Sequence, residues 1–263
     1  MKYLTLALMV IVVALLGVTP GARKTGTAPV QDQIVQLSGD TLPVTLGDIG
    51  TKLVEAGVID EKKMPLRDGM RGKIVITQEN SHYLLNFLWA VGLANKNPIL
   101  EDKTEMMNPA YGGAGGFAST GGWTLAQGGA MDHYGKHMIV PLTAAQQALV
   151  DRVSRNIYRP CCGNSTHFPD CNHGMAMLGL LEIMASQGVS EQDMYKTALI
   201  VNSYWFTDTY ATIAAYMQSK GVAWDAVSPK EMLGADYSSG AGFRNIQSKV
   251  TAPAAGGGGG CAI

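Results

Sequence analysis

The sequence predicts a mainly α-helical protein with little β structure. Its C-terminal part is expected to be a three-helix unit carrying a Cys/His loop, preceded by a smaller helical region. Three observations lead there: the run Ser81 to Asn95 is apolar on nearly every face of a helix, two further runs after residue 141 carry helix caps at their starts, and only Lys73 to Thr77 alternates like a strand. With 46% hydrophobic and 16% charged residues the chain has the means to bury a substantial core. A formal net charge of -1 provides no basic field to collect phosphates, which argues against nucleic acid as a partner.

In chain order, residues 1–20 read as a signal peptide or membrane anchor, because Met1-Lys2 precedes the unbroken apolar run Tyr3 to Val18. That reading expects an exported protein, periplasmic, extracellular or membrane-anchored facing outward, with a membrane or another exported protein among its partners. Residues 21–33 are polar and small, as in a flexible tether. The N-terminal folded region, 34–140, should contain a short helix over Thr45 to Val58 closed by Gly57, then the central helix Ser81 to Asn95. Asn108 to Gly129 is glycine-rich and aperiodic, a long loop with the character of a lid or binding loop.

In 141–250, Thr143 caps a helix running to about Ile157. Asn172 to Gln187 forms the next, stopped by Gly188, and Ser190 opens a third that extends towards Tyr216 with a break near Thr207-Asp208. Residues 251–263, five consecutive glycines and Cys261 among them, read as a flexible tail.

Three of the four cysteines, Cys161, Cys162 and Cys171, fall within eleven positions, with His167 between them and His173 just after. Thiolate and imidazole are the donors that copper and zinc ions prefer, and three sulfurs with one nitrogen complete a tetrahedral shell. Cys171 should sit at the first turn of its helix, where free amides favour a thiolate. His173 and Met177 are four apart on that helix, which adds a thioether to the candidate ligands Cys161, Cys162, Cys171, His173 and His167 and leans towards copper. Two other readings of the same residues stay open: a structural disulfide bracing the corner of a surface protein, and thiol–disulfide exchange on exported proteins. His133 and His137 are also four apart, but Gly135 between them weakens a helix there. No Gly-x-Ser-x-Gly elbow, phosphate loop or zinc-protease histidine pair appears, so the sequence does not decide whether the protein is an enzyme.

The stretch Ile157-Tyr-Arg-Pro-Cys-Cys-Gly-Asn-Ser165 and the two helices after it, residues 157–205, resemble two extracytoplasmic families. One is the PCYCGC-motif group of metal-binding lipoproteins, matched here by Pro160, Cys161, Cys162, His167, Asp170 and Cys171. The other, more weakly, is the CcmH-type thiol-reductase of cytochrome c maturation, whose third helix begins with a pattern similar to Gly188 to Glu191. The first resemblance implies metal binding outside the cytoplasm. The second implies disulfide reduction through Cys-x-x-Cys, and here Arg159 stands where the first of those cysteines would be.

Overall fold

A computed structural model describes residues 37–67 and 71–250, and within them the protein is mainly helical, with one two-stranded sheet. The expected export segment, the tether and the glycine tail with Cys261 lie outside the described residues. Among those described, no helix is long and apolar enough to cross a membrane.

The sheet pairs β1 (Asp40–Thr45) antiparallel with β2 (Lys73–Ile76), Thr41 facing Val75 and Thr45 facing Lys73. Leu42, Val44, Ile74 and Ile76 alternate into the core, while the register slips between Thr41 and Thr45, where Pro43 has no N–H for the ladder. Thr45 therefore ends a strand instead of starting a helix. Gly47 then turns the chain with φ +54°, and α1 begins only at Ile49 (Ile49–Glu55).

The centre is α2 (Ser81–Ala94), buried on nearly every side as its composition requires. It crosses α4 (Asn172–Ser186) with backbone against backbone: a methyl group on Gly92 would collide with the Met175 carbonyl, and one on Gly179 with the Leu88 carbonyl. These two glycines let the N-terminal and C-terminal regions meet in a single hydrophobic cluster running from Leu42 to Ile246. The contact also fixes the height at which α4 begins, and that helix start carries the candidate site.

Around this pair lie α3 (Ala144–Ser154), with Thr143 and Gln146 forming a capping box, and α5 (Glu191–Trp205), capped by Ser190. The expected break in the third helix falls at Phe206, whose ψ of 52° separates α5 from α6 (Thr207–Ser219). Three short helices that the sequence pattern does not specify follow: α7 (Pro229–Met232), α8 (Ala235–Ser238) and α9 (Gly240–Gln247). They are tied in by polar contacts, with Tyr210 Oη and Ser238 Oγ at 2.7 Å and Tyr158 N donating to the Leu233 carbonyl at 2.9 Å.

Candidate metal centre

The loop between α3 and α4 doubles back on itself. Thr166 N and Oγ1 both donate to the Ile157 carbonyl, at 2.7 and 3.0 Å, and Tyr158 pairs with Ser165 in an antiparallel bridge. This return puts Cys161 and Cys162 in a turn at the loop tip, beside the start of α4. The C-terminal helices brace the tip from behind, Gly240 N donating to the Cys162 carbonyl at 2.7 Å.

Cys171 is the N-cap of α4, and its Sγ accepts a hydrogen bond from Gly174 N at 3.4 Å. Cys161 Sγ lies 3.7 Å from Cys171 Sγ, and all three cysteines are free thiols. Cys171 belongs to two overlapping donor groups. With Cys161 and His173 it forms one whose ligand atoms lie within 4.8 Å of one another, and with Cys162 and Asp170 it forms a second of the same tightness. Cys, His and Asp side chains are thus close enough to hold a metal ion. Two thiolates on a tetrahedron with metal–sulfur bonds of about 2.3 Å stand about 3.8 Å apart, which is close to the separation found here. The His173 ring is held against Phe206 and Trp205, with centroids 4.4 and 5.7 Å away, so the break between α5 and α6 supplies one wall of the site.

The electrostatics turn on Arg159, whose side chain is wholly buried. One of its nitrogens donates to Asp170 Oδ1 at 2.7 Å and to the Phe168 carbonyl at 3.1 Å, while its Nε and Nη1 have no hydrogen-bond partner. Gly174 leaves room for the guanidinium, since a methyl group there would press on its central carbon. A buried cation beside the positive end of a helix is unfavourable unless negative charge is near. The sulfurs supply it. Although burial opposes its charge, Cys171, Cys162, Asp170 and Cys161 hold Arg159 protonated. In return Cys171 is driven well below the usual thiol range by hydrogen bonds from Cys161 and Cys162, then by Arg159 and a hydrogen bond with His173, all against the effect of burial. Cys161 is pushed up by its hydrogen bonds to Cys162 and Cys171 and by burial. Cys162 rises as well: a hydrogen bond from Cys161 lowers it, but its bond to Cys171 and burial outweigh that. The three shifts share one direction of bias, towards negative charge on Cys171 and protons on its two neighbours. Burial also raises the Asp170 carboxyl despite its pairing with Arg159, and Asn164 donates to its other oxygen at 2.7 Å.

Two residues grouped with the cysteines by sequence are directed elsewhere. His167, buried to 2% exposure, sets Nδ1 2.6 Å from Glu105 and Nε2 2.9 Å from Asp151, with an Arg155 nitrogen 2.7 Å away. Both ring nitrogens are taken, and the imidazole fastens the far end of the loop to the 98–111 segment. Asp102 and Glu105 bring it into a separate donor group without sulfur. Met177 lies in the hydrophobic cluster with Met175 and Met184, fully buried as a packing residue. His133 and His137 stack on each other in a non-helical turn, with ring nitrogens 3.0 Å apart.

Sequence reasoning missed Arg159 as the charge partner, though its position beside Pro160 and the cysteines was a visible signal. The sequence marks the glycine-rich loop as a lid or binding loop without specifying what it covers. That loop covers the start of α4: Ser119 N donates to the Asp170 carbonyl at 3.1 Å and Trp89 Nε1 donates to the Ser119 carbonyl at 2.8 Å. With its amide turned to satisfy both neighbours, Asn172 donates to the Ala118 carbonyl and accepts from Trp123 Nε1. Gly121 passes so close to the Gly115 carbonyl that a side chain there would clash.

Compared with protein-family models, curated proteins and solved structures, the chain matches none. The site has to be read from its own chemistry.

Proposed function

We propose that the protein binds a soft or borderline divalent ion of the zinc class through Cys161, Cys162, Cys171 and His173, as a metal-handling or delivery protein working outside the cytoplasm. The observation that carries this reading is the pair of overlapping donor groups that share Cys171, Cys161 and His173 in one and Cys162 in the other, beside a buried guanidinium with two unpartnered nitrogens. Such a set is costly as it stands and is compensated when thiolates gather round a cation.

Charge and donor type favour zinc over copper(I). Three thiolates around a monovalent ion leave two net negative charges in a buried site, but around a divalent ion they leave one, which Arg159 faces. The thioether that would have favoured copper, Met177, belongs to the core. Asp170 is kept from acting as a ligand by its bonds to Arg159 and Asn164, so it orients the site from behind. The likeness of Pro160 to Cys171 to the PCYCGC-motif group agrees with this reading.

The test is metal content and competition titration of the anaerobically purified chain. One equivalent of zinc, bound more tightly than copper(I) relative to free cysteine, is expected, with none retained by Cys171→Ser. A native chain that takes up neither ion would refute the proposal.

A second reading, thiol–disulfide exchange on exported proteins, draws on the lowered Cys171 beside Cys161. It requires trapping of a mixed disulfide with a protein substrate, which a metal carrier does not form.

A further inference from the structure

We propose that the site releases its ion by oxidation, Cys161 and Cys171 closing a disulfide when the chain meets a small-molecule disulfide such as oxidised glutathione. The inference rests on the metal-binding reading and adds how the ion is let go. Three features of the geometry point to it.

The first is distance. Cys161 and Cys171 stand 3.7 Å apart, so their sulfurs need to approach by only about 1.7 Å to reach a bond of about 2.05 Å. The second is unequal access. Cys171 is 7% exposed and anchored as the cap of α4, whereas Cys161 is half-buried in a turn outside any helix. An external disulfide therefore meets Cys161 before Cys171, and the sulfur that has to move is the one outside the helix. The third is selectivity among the three thiols. Cys162 leans towards Asp170 Oδ1, 3.9 Å away, and a bond between the adjacent Cys161 and Cys162 would be strained. That leaves Cys161 with Cys171 as the favoured pair.

The steps balance without any further reagent. In the zinc-loaded chain both sulfurs would be held as thiolates, their protons lost when the ion binds, and the Cys161 thiolate attacks one sulfur of the external disulfide RSSR, forming Cys161–S–SR and expelling RS⁻. The Cys171 thiolate then attacks the Cys161 sulfur, forming the protein disulfide and expelling the second RS⁻. Two protein thiolates lose two electrons in total, one external disulfide gains them, and no proton is required. Cys161 and Cys171 are thereby withdrawn as donors, and Cys162 with His173 cannot complete a tetrahedral shell.

The experiment uses the zinc-loaded full-length chain carrying Cys261→Ser, so that only the three site cysteines can pair. It is mixed with oxidised glutathione, released zinc is followed with a chromophoric indicator, and disulfides are mapped by mass spectrometry. The expected result is one equivalent of zinc released together with a Cys161–Cys171 linked peptide, both reversed by dithiothreitol. In Cys161→Ser the acceleration of release by the oxidant should fall at least ten-fold. A chain that loads zinc and keeps it through oxidation overturns the release alone, as does a disulfide mapped to Cys162. A chain that never takes up zinc overturns the metal reading and the release with it.

Discussion

At one end of the α3–α4 loop, the two nitrogens of His167 meet Glu105 and Asp151, and Arg155 bonds Asp151 in turn at 3.1 Å. At the other end, four residues along, Cys171 shares its neighbourhood with two more sulfurs, a second imidazole and a guanidinium whose Nε and Nη1 are unpartnered. Both ends crowd titratable groups together. At the His167 end each ring nitrogen faces a carboxylate and Arg155 bonds one of the same carboxylates, and the group works as a fastener. At the sulfur end thiols face thiols and a buried cation, and the mismatch is what an added ion would resolve. Proximity of ligand-type residues is therefore weak evidence of a metal site; the state of their hydrogen bonding separates the two cases.

The largest expected effect comes from Cys171→Ser, which removes the donor shared by both groups. Zinc occupancy should vanish, and so should the stabilisation that zinc gives. With free zinc 100-fold above Kd that linkage is worth about 2.7 kcal/mol, or roughly 5–10 °C in Tm for a chain of this size. Scanning calorimetry with and without chelator should show this shift in the native chain and none in the variant.

Asp170→Asn comes next, because it takes away the negative charge paired with the buried Arg159. Removing one partner of a buried pair costs about 3 kcal/mol, measurable as a lower urea midpoint in the metal-free chain. The loss should shrink in zinc-loaded protein, where the thiolates carry the compensating charge. An equal loss in both forms would mean that Arg159 answers to Asp170 alone.

His167→Gln should cost less, about 1–2 kcal/mol, because Glu105 and Asp151 are exposed enough to be rehydrated. Its zinc stoichiometry and affinity should stay native. A variant that folds but no longer binds zinc would break the distinction between the two ends of the loop.

The smallest signal is the thiolate itself. The folded-state pKa of Cys171 is depressed, so its contribution to stability is fully present above the unfolded thiol value and is lost as pH falls through the folded one. Metal-free protein at neutral pH should show about one equivalent of thiolate ultraviolet absorbance, disappearing on acidification and absent in Cys171→Ser. Three thiols that titrate only in the ordinary range would contradict the arrangement around Arg159.

Much of the fold was legible because its signals are local. The apolar run of α2, the Thr143 and Ser190 caps and the interruption near Phe206 need no partner to be recognised. β1 was missed because Pro43 and only two inward residues, Leu42 and Val44, give too short an alternation. The short helices α7 to α9 are set by tertiary contacts such as Tyr210 with Ser238, which no local pattern announces. The site divides in the same way. Cys161, Cys162, Cys171 and His173 were legible because the loop and the first turn of α4 bring together residues already near in sequence. The diversion of His167 was not, because Glu105 arrives from 62 positions earlier. Nor was the surface that the glycine-rich loop covers, which depends on Ser119 and Trp123 meeting Asp170 and Asn172. That Arg159 would be a buried counter-charge depends on Gly174 leaving it space, a relation visible only in three dimensions.

The most direct test is X-ray absorption at the zinc edge of the zinc-loaded, reduced chain. The account predicts a four-coordinate ion with three sulfurs at about 2.3 Å and one imidazole nitrogen at about 2.0–2.1 Å. A shell dominated by oxygen and nitrogen, or one with fewer than two sulfurs, would place the ion away from Cys171 and contradict it.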